Sequence, residues 1–179
     1  MGILKRIFLV LGIFLCLYPV FHDVIASMEE KEIIEQYRSG LILDDVIGIL
    51  TIPSIQVQLP IYEGVTENVL QKGIGHIEKS SPLGGGTSTH CLLAGHRGLP
   101  EAEFLTRLGE LEKGEQFQVE IKENIYTYKV CEIKVVRPEE TGGLGIQRDR
   151  ELVSLITCTP YGINTHRLIV TGERLEEEK

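Results

Sequence analysis

VIGILTIPSIQVQLPI, residues 46–61, decides how the rest of the chain is read. Its first seven residues are β-branched or leucine except for Gly48, and they run into Pro53 and Ser54. Ile55, Val57 and Leu59 then alternate with Gln56, Gln58 and Pro60, the two-residue period of a strand with one buried face. Working outward, Val46–Ile52 and Gln56–Ile61 are the first two of a series of β-prone runs separated by glycine and proline. The others are His90–Ala94, Gln116–Lys122, Tyr126–Val136, Leu152–Cys158 and Arg167–Thr171. A further short strand is possible around His76. Thr66–Gln71 and Glu101–Leu108 alone read as helical in this part, and both are short. Seven or more strands at close spacing with few helices predict a mainly β chain closed, or nearly closed, into a barrel.

The N-terminal region is of another kind. After Lys5 and Arg6, residues 7–20 are apolar apart from Gly12, Tyr18 and Pro19, and the apolar character ends near Ala26. Crossing the hydrocarbon takes about 20 helical residues, so 1–27 reads as an uncleaved transmembrane anchor. A cleaved signal peptide ending near Ala26-Ser27 is the rival, against which stand the length of the run and the placement of Pro19 and Asp23. The basic pair before the helix puts the N-terminus in the cytoplasm and residues 28–179 outside. Residues 28–45 form a linker with a short amphipathic helix stopped by Gly40, 46–175 the barrel, and 176–179 an acidic tail. The formal net charge of −8, with no Lys/Arg run beyond Lys5-Arg6, argues against a nucleic-acid partner.

Three cysteines lie outside the anchor with no paired spacing, so one thiol is left over in an exported domain. Cys91 and Cys131 read as core packing. Cys158 closes the run Leu152–Thr157 and precedes Thr159-Pro160-Tyr161-Gly162, so a rigid strand end presents it where the chain turns to solvent. The eight residues 159–166 contain the turn formers Pro160, Gly162 and Asn164. If the flanking strands pair antiparallel, Cys158 and Arg167 face each other at about 5 Å between Cβ atoms. A guanidinium there favours thiolate and supports an oxyanion; the plainer reading pairs Arg167 with Asp149 or Glu151. Of the five histidines, His96 also ends an apolar strand, Leu92-Leu93-Ala94-Gly95, and is the candidate proton-transfer partner. His90, Cys91 and His96 lack zinc-site spacing, no Cys-x-x-Cys occurs, and Gly84-Gly85-Gly86 is not followed by Gly-Lys-Ser/Thr. No metal or cofactor is expected.

At these residues the chain resembles the sortase family, and specifically its class C, pilin-polymerising branch. The resemblance is carried by Ile52-Pro53-Ser54-Ile55, Leu59-Pro60-Ile61-Tyr62, Gly73-Ile74-Gly75-His76 and Thr89-His90 through Ala94-Gly95-His96-Arg97-Gly98-Leu99-Pro100. The longest stretch runs from Ser154-Leu155-Ile156-Thr157-Cys158 to Arg167-Leu168, with Ser154 where the family motif has Thr. It implies an eight-stranded sortase β-barrel in which His96, Cys158 and Arg167 match the catalytic His, Cys and Arg; Thr157, beside the nucleophile, is a candidate for substrate binding that the resemblance does not itself assign. The resemblance further implies cleavage of a Leu-Pro-x-Thr-Gly-like (LPXTG-like) signal after Thr through a Cys thioester. The acyl group then passes to an amine, in class C a pilin lysine, at the surface of Gram-positive bacteria. A wall-anchoring enzyme using a peptidoglycan amine, a cysteine hydrolase and a catalytically silent docking protein are the alternatives. Class C members usually carry a lid with an Asp-Pro-aromatic motif; Asp44-Asp45-Val46 has neither Pro nor aromatic, so a plugging lid is not expected.

Overall fold

The computed structural model describes residues 2–41, 45–98, 104–140 and 142–175; within its first helix the side chains of residues 16, 19–27, 29 and 30 lie outside the description. Eight strands follow that helix: β1 Val46–Ile52, β2 Val57–Glu63, β3 Ile74–His76, β4 Thr89–Ala94, β5 Gln116–Ile121, β6 Asn124–Val136, β7 Glu151–Thr159 and β8 His166–Arg174. They close into a barrel in the order β1-β2-β3-β4-β7-β8-β6-β5, with β5 returning to β1. All neighbours are antiparallel except β2–β3 and β4–β7. Closure pairs each strand with a neighbour on both sides, although the three-residue β3 covers only the last part of β2.

The alternation read in the sequence fills the barrel. Leu50, Ile52, Leu59, Ile61, Cys91, Leu93, Val119, Val153, Leu155, Leu168 and Val170 all point into one core cluster, where Phe117 and Tyr128 stack with ring centroids 5.5 Å apart. Gly172 is required at that stack, because a Cβ there would sit 2.5 Å from Phe117 Cε1. The predicted boundaries of β1 are met, and the others are close. The stretch Glu101–Leu108 is not a helix where it is described: a 3₁₀ turn occupies Thr106–Glu110, and residues 101–103 lie outside the described residues. In place of Thr66–Gln71 stands α2, Glu67–Leu70, whose N-cap Thr66 accepts from the Val69 amide at 3.4 Å.

Ahead of the barrel, α1 runs unbroken from Gly2 to Arg38, so the anchor and the short helix expected after it are one element. Ile3, Leu4, Ile7–Leu11, Ile13–Leu15, Leu17 and Tyr18 expose their apolar side chains. Among the described residues no helix is long and apolar enough to cross a membrane. The C-terminal end of α1 is more than a solvated connector. Ile34 is buried, the Tyr37 hydroxyl accepts from the Lys122 amide at 2.8 Å, and Arg38 makes a forked pair with Glu120 at 2.8 and 3.0 Å. In the Asp44-Asp45-Val46 stretch, Asp44 lies outside the described residues, as do Leu99, Pro100 and residues 176–179.

On the outer face of β4, β7 and β8, a buried polar chain secures one end of the sheet. His90 Nδ1 donates to the Gly145 carbonyl at 3.0 Å, so in the neutral ring Nε2 accepts from Ser154 Oγ at 2.8 Å, which accepts from Thr171 Oγ1 at 2.7 Å. Burial pushes His90 below the usual histidine range. An imidazole freed by unfolding binds its proton near pH 6.5, so the unfolded state holds more protons there and stability falls as pH drops from about 6.5. Thermal melts at stepped pH should show this acid slope in the wild type and a flatter one in His90→Gln. Glu110 and Glu173 are each held low first by hydrogen bonding to an arginine, so what they contribute is lost only as pH falls through the ordinary carboxylate range.

Candidate active site

Cys158 and Arg167 are direct cross-strand partners in the β7–β8 ladder, the juxtaposition read from the turn formers between them. On β7, Val153, Leu155 and Thr157 face the core, so Ser154, Ile156 and Cys158 face outward. On β8, Leu168 and Val170 face inward and Arg167 and Ile169 outward. Thiol and guanidinium therefore share the outer face at one end of the barrel. Asp149 and Glu151 belong to the other end. Glu151 accepts from the Tyr128 hydroxyl at 2.8 Å and Asp149 stands 3.7 Å from Arg148. Arg167 instead donates through Nη1 to the carbonyls of Asn164 at 3.1 Å and His166 at 3.0 Å, which steady its guanidinium at the mouth of the β7–β8 turn.

His96 arrives on the same face from β4. The parallel β4–β7 register runs from Thr89↔Glu151 to Ala94↔Ile156; continued by two residues it sets His96 beside Cys158. Beyond that last rung, the Gly95 amide donates to the Ile156 carbonyl at 3.0 Å and the Leu105 amide to the His96 carbonyl at 3.2 Å. Gly95 has no room for a side chain, since a Cβ would lie 2.6 Å from Ile74 Cδ1 and 3.0 Å from Leu105 Cδ1. Gly95→Ala should therefore cost about 1–3 kcal/mol, measured as a lowered denaturation midpoint, and displace His96 with a loss of activity larger than the loss of folded protein.

Thr157 does not occupy the position expected of a substrate contact. It is 2% exposed, faces the core, and donates its hydroxyl to the Gly95 carbonyl at 2.8 Å. Its hydroxyl is spent within the protein, steadying the residue before His96. Cys91 is buried, which pushes its thiol up to about 12 and leaves it inert at neutral pH. Cys131, expected in the core, sits in the β6 bulge and donates its thiol to the Thr171 carbonyl at 3.3 Å. His76 is held between Glu63, 2.9 Å from Nδ1, and the Ser81 carbonyl, 3.0 Å from Nε2. His166 contacts the Thr165 hydroxyl.

Two residues that the sequence reading had not singled out complete the surroundings. Glu67 Oε1 lies 3.4 Å from His96 Nε2 without hydrogen-bond alignment, and that nitrogen is otherwise unpartnered among the described residues. Nothing in the sequence marked Glu67, because α2 reaches the site only through the barrel's closure. Arg97 donates to Thr159 Oγ1 and, at 3.5 Å, to the Cys158 carbonyl; its place directly after the candidate histidine was the available signal. One row along the sheet, Ala94, Ile156 and Ile169 make an apolar strip leading to the three site residues.

The closed eight-stranded barrel thus brings a strand-end cysteine, arginine and histidine onto one outer face, the group types that cysteine acyl transfer uses. Residues 50–175 match the family model described as Sortase domain. The chain is 36% identical over 132 residues to Sortase D of Bacillus subtilis, covering 72% of this chain and 63% of that protein's length. Among solved structures, it resembles the Group B Streptococcus Pilus Island 1 Sortase C2 at 47% identity and a TM-score of 0.73, over 75% of this chain and 76% of that one. Sortase C-1 from Actinomyces oris gives 46% identity and a TM-score of 0.73, over 79% and 80%. The chain belongs to the sortase family, whose members are cysteine transpeptidases. Its structural likeness is to the class C, pilin-type sortases.

Proposed function

We propose that this chain is a membrane-anchored transpeptidase that cleaves a Leu-Pro-x-Thr-Gly-like sorting signal between Thr and Gly and passes the acyl group to a pilin lysine. The observation that carries the reading is the direct pairing of Cys158 with Arg167 on the face to which β4 delivers His96. In the proposed cycle the Cys158 thiolate attacks the Thr carbonyl carbon and Arg167 stabilises the oxyanion. The C–N bond then breaks, and the glycine amine leaves with a proton from the His96 imidazolium. The lysine amine gives a proton to His96 as it attacks the thioester, the C–S bond breaks, and the thiolate is regenerated. The half-buried Ala94 and Ile156, backed by the buried Ile169, suit the Leu-Pro part of the signal.

The pilin acceptor is supported by likeness to the Pilus Island 1 Sortase C2 and to a Streptococcus pneumoniae Sortase C described as having pilin substrate specificity. Water as acceptor finds no support in these likenesses. Anchoring with the N-terminus inside and the barrel outside rests on the apolar run after Lys5-Arg6 and on the apolar side chains exposed along α1. The test is to incubate the full chain in detergent with a sorting-signal peptide and a lysine-bearing pilin peptide, then sequence the products by mass spectrometry. An isopeptide-linked product is expected; free acid as the sole product overturns the transfer reading.

A further inference from the structure

The hydrogen-bonded ladder that aligns β4 with β7 ends at Ala94↔Ile156, two residues short of both His96 and Cys158. Past the last rung the Gly95 amide still reaches the Ile156 carbonyl and the Thr157 hydroxyl the Gly95 carbonyl, and beyond those two bonds the strand ends are joined by a side chain, Arg97. Arg97 is attached to the β4 side directly after His96, and its Nη1 donates to Thr159 Oγ1 and to the Cys158 carbonyl at 3.5 Å on the β7 side. The Arg97 backbone is itself held: the Thr106 hydroxyl donates to the Arg97 carbonyl. Gly109 backs the head group so closely that a Cβ there would lie 3.3 Å from Nη2. The Arg97 Nε is buried without a hydrogen-bond partner among the described residues. Burying a guanidinium with a donor unspent is unfavourable, so its retention here has to be compensated by what the other end of the fork does.

We propose that Arg97 is a positioning residue that ties the Cys158 carbonyl and the Thr159 hydroxyl to the strand end bearing His96, and so sets the approach of imidazole to thiol. This rests on the reading that Cys158 and His96 carry the acyl transfer. A guanidinium is suited to the task because its rigid plane holds Nη1 between the carbonyl and the hydroxyl, which a freely rotating lysine ammonium does less well.

The test compares Arg97→Ala, Arg97→Lys, Thr159→Val and the Ala/Val double variant with wild type, as full chains in detergent, by sorting-peptide cleavage kinetics. For Arg97→Ala the turnover number should fall roughly tenfold to a hundredfold, the range for losing a hydrogen bond from a charged group, with KM little changed. Arg97→Lys should recover part of that loss. Thr159→Val should fall less, and the double variant should be no worse than Arg97→Ala because one bond is shared. Added guanidinium ion should restore part of the turnover of Arg97→Ala and none of Cys158→Ala. Additive losses with no guanidinium rescue overturn the proposal in favour of a general folding role, and wild-type turnover in a folded Arg97→Ala overturns it outright. Alkylation of Cys158 by iodoacetamide, followed by intact mass, reads the thiol's setting without substrate. Equal rates in wild type, Arg97→Lys, Thr159→Val and Arg97→Ala overturn the positioning role whether or not any peptide is cleaved. A wild type that cleaves nothing yet differs from the variants in alkylation counts against the transpeptidase reading and for the positioning one.

Discussion

Cys158→Ala is expected to lose at least about a thousandfold in turnover of a sorting-signal peptide, because no other group on that face can form the thioester. Cys91 is sealed in the core, and Cys131 lies in the β6 bulge near the other end of the barrel. The same variant should keep its melting temperature within about 2 °C of wild type, since the half-exposed Cys158 side chain contributes little to the core. The contrast between the two measurements is what matters: a change that unfolds the protein would lower both, whereas removal of the reacting atom lowers only one. Residual turnover comparable to wild type, with the fold intact, would place the chemistry elsewhere or nowhere.

Arg167 carries the second large effect. Arg167→Ala should lower turnover by about a hundredfold to a thousandfold, the range for removing an oxyanion donor, and affect KM much less. Arg167→Lys should recover little of it. The native guanidinium is steadied through Nη1 by two carbonyls, those of Asn164 and His166, while the rest of its planar fork can turn to the reacting carbonyl. An ammonium has the charge without the fork, so it can answer the turn or the oxyanion but not both in one geometry. Steady-state kinetics with a single peptide across the three proteins separates these outcomes. Full activity in Arg167→Lys would reduce the role of Arg167 to charge alone.

The local parts of this fold were legible because each is written in a short run of residues. Val46–Ile52 is β-branched or leucine at every position but Gly48 and ends at Pro53, and the strand stops there. The turn formers between Cys158 and Arg167 announced a hairpin, and the register sets them opposite each other. The three-residue β3 is too short for alternation to show, and the parallel contact of β4 with β7 joins segments some sixty residues apart that no local pattern connects. Thr157 is instructive in another way: if Cys158 faces outward, strand alternation sends Thr157 inward, and the signal that it could not meet substrate was already present. Glu67 had no such signal. Nor did the docking of Tyr37 and Arg38 on β5 and the β5–β6 turn, since a mixed run of charges and apolar residues reads as a solvated helix until its partners, Glu120 and the Lys122 amide, are placed.

The most direct test of the central claim is intact mass of the full chain in detergent, mixed with a Leu-Pro-x-Thr-Gly-type peptide and sampled with and without a lysine-bearing acceptor. The account predicts a mass gain equal to the acyl fragment, mapped to Cys158, absent in Cys158→Ala, and discharged faster by the amine than by water. A chain that gains no mass from any sorting-signal peptide, or gains it equally in Cys158→Ala, contradicts it.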